Sequence, residues 1–99
     1  MPIYQTARFQ VKPQALEKCK QAIRDFVDYV RTHEPETLQY TAMEETANPT
    51  NFLHVFVFAD AAARERHANS HAVKHFTTLL YPNTIAPVEF TEYTIVTAR

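Results

Sequence analysis

No glycine occurs among the 99 residues of this chain, where about 7% is usual. Glycine enters left-handed backbone conformations without steric cost, so its absence narrows the turns the chain can make. Turns must rest on proline and asparagine, as in "ANPTN" at 47–51 and "YPNT" at 81–84. The same absence bears on function. A Walker loop, a dinucleotide-binding fingerprint and a nucleophile elbow all use glycine for positive φ or close backbone approach. None of those chemistries is available here in its usual form.

Between the turns, hydrophobic periodicity sets the elements. Residues 3–11, "IYQTARFQV", alternate as a strand. Pro13 then stands at the first helical position, where its missing N–H costs nothing. Leu16, Cys19, Ile23, Phe26 and Val30 follow at 3-4-3-4 spacing with charged residues between them, which predicts an amphipathic helix. Pro35 biases Glu34 out of the helical region and ends it. "TLQYTAMEE" at 37–45 and "NFLHVFVFAD" at 51–60 read as two strands of an antiparallel hairpin joined by the Asn-Pro turn. Asp60 can cap a helical region over 61–80, and Ser70 offers a second cap inside it. After Pro82 and Pro87, "VEFTEYTIVTA" at 88–98 is the last strand. The order β-α-β-β-α-β is that of a ferredoxin-like α+β domain with a four-stranded antiparallel sheet, and residues 1–99 read as one domain.

The third strand adds a constraint on assembly. Leu53, Val55 and Val57 point to one side, while Phe52, Phe56 and Phe58, with His54 among them, point to the other. Both faces are apolar, so both call for cover. Two helices cover only one face of such a sheet. A second copy of the same sheet is the simplest cover for the other, which predicts a homodimer with packed sheets.

Net charge is −1 and no basic block appears, so the electrostatic footprint of a nucleic-acid binder is missing. RNA-recognition modules share the topology, and "FVF" at 56–58 echoes the end of their signature, but its basic-glycine beginning is absent. The lone Cys19 cannot form an internal disulfide, which favours a reducing compartment. The N-terminus lacks the pattern of a secretory leader, and no apolar run approaches a membrane span. The expectation is a cytoplasmic protein without nucleic-acid or membrane partners.

His67, His71 and His75 sit four residues apart, so an unbroken helix over 61–80 would align them along one edge of its core face. Three readings stand for this row. It could chelate a metal, although a closed site needs further ligands that the sequence does not supply nearby. It could line a catalytic pocket, with one histidine as base, or it could be a solvated helix edge. His54 likewise reads as a satisfied core histidine or as a proton acceptor in an apolar cavity. Tyr4, Tyr40 and Tyr93 read as core residues with the hydroxyl at an edge, or as groups that orient a phenolic substrate.

Four stretches taken together resemble one known family: "RFQVKPQALEKCKQAI" (8–23), "HEPETLQYTAMEETANPTNF" (33–52), "FADAAARERHANSHAVKHF" (58–76) and "EFTEYTIV" (89–96). In their order and spacing they resemble the antibiotic biosynthesis monooxygenase-like family of dimeric α+β barrels. His67 matches that family's frequent histidine on the second helix, nine residues before the aromatic matched by Phe76, and Ser70 matches its usual small hydroxyl residue. The family often has proline and a second histidine where this chain has His71 and Ala72. Glu36 replaces a usual glycine, and Phe56 replaces a glutamate often found on the third strand.

The resemblance implies a homodimer with a pocket between sheet and helices in each subunit. Similar proteins include cofactor-free oxygenases of quinols and anthrones, haem-degrading enzymes and an isomerase. The expectation is therefore a cofactor-free monooxygenase acting with O₂ on a quinol, anthrone or similar phenolic molecule. His67, His75 and His54 are the candidate catalytic residues, and Tyr4, Tyr40, His71, Phe56 and Phe76 the candidates for holding an aromatic substrate. No cofactor or metal is expected in that reading. The alternatives are a dimer that binds haem or another small ligand, an isomerase, and a non-catalytic interaction protein.

Overall fold

The computed structural model describes residues 1–99. They form strand β1 (Ile3–Gln10), helix α1 (Leu16–His33), strands β2 (Thr37–Glu44) and β3 (Asn51–Phe58), helices α2 (Ala61–Ala68) and α3 (His71–Leu80), and strand β4 (Glu89–Tyr93). The strands make one antiparallel sheet in the order β2-β3-β1-β4, the ferredoxin-like arrangement, with the second helical region in two pieces. Pro13 opens a 3-10 turn, Pro13–Ala15, that leads into α1. No residue adopts positive φ. The β2–β3 hairpin is closed instead by ordinary backbone bonds, Asn51 N–H to the Asn48 carbonyl at 2.9 Å and Glu45 N–H to the Asn51 carbonyl at 2.8 Å.

The spacing read in α1 is the spacing that is buried: Cys19, Ile23, Phe26 and Val30 lie in the core, with Leu16 packed beside them. Phe26 stacks on Phe76 of α3 with ring centroids 4.6 Å apart and planes 5° off parallel, which locks the two helices over the sheet. On β3, Phe52, His54, Phe56 and Phe58 are buried on the helix side. Alternation sends Leu53, Val55 and Val57 to the opposite face. Register puts Tyr4 beside Val57 and also beside Tyr93, so these share that second face with Thr6 and Thr91. No helix of this chain lies over it. No helix is long and apolar enough to cross a membrane.

One open question is answered and one expectation corrected. The helical region 61–80, whose continuity the sequence left open, is two helices. Ser70 takes an extended conformation (φ −70°, ψ 152°) and its Oγ accepts the Val73 N–H at 3.1 Å, so it starts a new helix rather than continuing the old one. Asp60 caps α2 in the same way, through the Ala63 N–H at 2.8 Å. The last strand is also shorter than 88–98 and ends at Tyr93. Tyr93 already pairs with Tyr4, near the start of β1, so residues further along have no neighbouring strand to bond.

Candidate active site

A cavity of about 260 Å³ lies between the helix-facing side of the sheet and helices α2 and α3. Its walls are largely aromatic, with Phe9, Phe26, Phe56, Phe58, Phe76 and Phe90 among them, and its polar groups include Tyr40, His54 and His67. Ligand sites in general combine such an apolar lining with a few polar atoms that set orientation.

His67 sits in the last turn of α2 with its side chain 12% exposed. Its ring is packed by Phe58, Phe26, Tyr40 and Phe56 at centroid distances of 5.2, 5.6, 6.1 and 6.2 Å. Its Nδ1 lies 2.8 Å from Oε1 of Glu34. A carboxylate only accepts, so Nδ1–H is the donor in this hydrogen bond. Glu34 is delivered by the turn that Pro35 enforces: its own N–H still bonds the Val30 carbonyl at 2.9 Å, while its φ of −124° and ψ of 74° take it off the helix. Thr37 Oγ1 donates to the same Oε1 at 2.8 Å, and Oε2 is buried without a partner. His67 is thus an imidazole oriented by a carboxylate and walled by aromatic rings.

His54 is 1% exposed on β3. Its Nδ1 lies 2.8 Å from the hydroxyl of Tyr40 on β2, and its Nε2 is buried with no partner. Desolvation pulls this imidazole down from 6.5 to about 4, so it is neutral near pH 7. Burial, with Glu34 nearby, pushes the Tyr40 phenol up and keeps it protonated. His54 packs edge-on to Phe9 at 5.0 Å and to Tyr40 at 5.4 Å.

The structure thus gathers His67, His54, Tyr40, Phe56 and Phe76 around one cavity. It takes the other sequence candidates elsewhere. The restart at Ser70 breaks the histidine row, and His71 and His75 are exposed on a separate cleft between α1 and α3, beside Lys18, Gln21 and Asp25. Tyr4 is excluded from the cavity by strand alternation, because Gln5, Ala7 and Phe9 are the β1 residues that line it. No group of three or more His, Cys, Asp or Glu side chains converges in a way that would hold a metal ion. Glu34 was not singled out by the sequence reading as a site residue. The signal was the carboxylate in "HEPE", held at a helix end by the proline that follows it.

The fold and site define a small ferredoxin-like protein with a histidine–carboxylate pair beside an aromatic cavity. The sequence matches the antibiotic biosynthesis monooxygenase family over residues 2–79, and the chain belongs to that family. Among solved structures, a protein of Bacteroides thetaiotaomicron VPI-5482 that carries the family's name is similar with a TM-score of 0.91 at 19% identity, over 97% of this chain and 90% of that one. Rv0793 of Mycobacterium tuberculosis is similar with a TM-score of 0.89 at 16% identity, over 99% and 98%. PA3566 of Pseudomonas aeruginosa is similar with a TM-score of 0.86 at 22% identity, over 97% and 95%. At these identities the likeness speaks to the fold. No curated protein matches the sequence.

Proposed function

We propose that this protein is a cofactor-independent monooxygenase that oxidises a quinol, anthrone or similar phenolic aromatic with O₂. The observation that carries the reading is the Glu34–His67 pair, a histidine oriented by a carboxylate at the wall of an aromatic cavity. His67 Nε2 removes a proton from the substrate. The resulting anion supplies electrons to O₂, and a C–O bond forms to give a peroxide. The peroxide O–O bond then breaks with loss of water, so one oxygen atom remains on the product and the other leaves as H₂O. An anthrone methylene becomes a carbonyl in this way, and a quinol becomes a hydroxyquinone. Aromatic walls keep bulk water from the anion and the peroxide. Phe56 and Phe76 supply ring faces for the substrate to stack on.

A homodimer belongs to the same proposal. The sheet face that bears Val55, Val57 and Tyr93 has no helix of its own chain over it, and a second sheet of the same kind would cover it.

The test is oxygen uptake by metal-stripped protein against quinols, anthrones and catechols, with His67→Ala in parallel. Uptake should follow one substrate class and fall by about 10²–10⁴-fold in the variant, the contribution typical of a positioned base. Equal rates for wild type and variant would remove His67 from the chemistry. No uptake with any of the substrates would sink the oxygenase reading.

A further inference from the structure

Arg64 is the only Arg, Lys, Asp or Glu among the residues that line the aromatic cavity. It stands on α2 three residues before His67, so the two side chains are neighbours one helical turn apart. Its side chain is 39% exposed, which leaves it surface for a ligand to meet. Its Nη1 donates to Oε1 of Glu92 on β4 at 2.7 Å, a single bond from a guanidinium that has five N–H donors. Glu92 does not line the cavity, and 60% of its side chain is exposed. An ion pair this open to water holds weakly, because solvent screens both charges and pairing costs side-chain freedom. Gln5 of β1 lies opposite Glu92 in the sheet register and lines the cavity beside Arg64. An otherwise aromatic cavity therefore has one cationic end, and the carboxylate that occupies it is easily exchanged.

We infer that Arg64 binds a carboxylate of the substrate, which takes the place of Glu92, and that the substrate is an aromatic acid. The inference rests on the oxygenase reading of the same cavity and adds a planar anionic group to its substrate. A guanidinium matches a carboxylate with two parallel N–H bonds, a fit that gives orientation as well as affinity. A carboxylate fixed to a ring that the aromatic walls already hold has little freedom left to lose, whereas Glu92 must give up rotamers to pair. Glu92, once released, turns to the solvent in which most of its side chain already lies. The amide of Gln5 adds a neutral donor at the same end of the cavity. Because Arg64 and His67 rise from one helix, the carboxylate and the hydrogen that His67 removes lie along the same edge of the ring system, the edge that faces α2. Arg64 is thus a specificity residue: it selects acids over neutral aromatics of the same shape and sets which way round they enter.

The experiment titrates the protein calorimetrically with 2-naphthoate and 2-naphthamide, flat probes of one outline that differ in charge and carry no hydrogen acidic enough to start the reaction. Wild type should bind the acid about tenfold more tightly than the amide, the difference expected for a charge-assisted bond. In Arg64→Gln the acid should lose about that factor while the amide binds as before. Amide binding reports that the variant is folded. Glu92→Gln removes the competing carboxylate, so affinity for the acid should rise about threefold, with that for the amide unchanged. Equal affinity for the two probes in wild type, no binding of the acid, or equal losses for both in Arg64→Gln would overturn the inference. Tighter acid binding that Glu92→Gln leaves unaltered would overturn the exchange with Glu92. Oxygen uptake separates this result from the reading on which it rests. A protein that prefers the acid probe through Arg64 yet consumes no oxygen with any carboxylated or neutral quinol keeps the anion site and fails as an oxygenase. One that oxidises quinols through His67, with the same kcat/KM for a quinol acid and its amide, keeps the activity and overturns the role of Arg64.

Discussion

Glu34 and His67 are 33 residues apart in sequence and 2.8 Å apart in the fold, with the carboxylate accepting from Nδ1. The contact needs three local events. Pro35 must turn Glu34 off the end of α1, Asp60 must start α2 at the right place, and α2 must stop before Ser70. It joins the end of the first helix to the last turn of α2.

Replacing Glu34 with glutamine keeps its size but removes its charge, so the imidazolium that forms during proton abstraction loses its counter-charge. Turnover of Glu34→Gln should fall by about tenfold or more, with KM little changed, because the carboxylate acts on the base and not on the substrate. Steady-state oxygen uptake separates the two constants. A change confined to KM would place Glu34 in binding instead.

Acid should weaken the fold through His54. Its imidazole is held down at about 4 in the folded chain, against 6.5 for the ordinary group. Between those values the unfolded chain binds a proton there that the folded chain does not. Stability from this residue is complete above about pH 6.5, is lost as pH falls towards about 4, and loses nothing more below that. The loss is on the order of 3 kcal/mol. Urea unfolding at a series of pH values should show this slope in wild type and a much shallower one in His54→Phe.

Ser70 holds the boundary between α2 and α3. Its Oγ accepts the Val73 N–H and also donates to the His67 carbonyl at 2.8 Å, so it ties the start of one helix to the end of the other. Ser70→Ala should cost about 1 kcal/mol in urea unfolding. An unaltered midpoint would mean that the break is held by packing alone.

His71 and His75 offer the converse test. Both are exposed and neither borders the cavity that holds His67. The double variant His71→Ala, His75→Ala should keep wild-type turnover and shift stability by no more than about 0.5 kcal/mol. A large drop in rate would return the outer cleft to the mechanism.

These outcomes bear on what a sequence discloses. The α1 core positions were legible because one face of a single helix carries them, and the period of Cys19, Ile23, Phe26 and Val30 needs no knowledge of the rest of the fold. The two faces of β3 were legible for the same reason, with a period of two. Ser70 was legible as a cap, but a cap inside a helical pattern does not say whether the helix bends or restarts. That ambiguity decided the fate of the histidine row. Tyr4 was misplaced because alternation identifies two faces without saying which one a cavity adjoins. Glu34 lay beyond local reasoning, since its role depends on a partner brought to it by the packing of α2.

The absence of any residue at positive φ carries a practical consequence. In most proteins an alanine scan mixes two effects, because replacing a left-handed glycine strains the chain as well as altering contacts. Here no position imposes such a penalty, so each non-proline substitution to alanine reports on the side chain removed and on the local propensity of its element. This protein can be mapped residue by residue with the backbone as a constant, and the contributions of its cavity walls compared on one scale.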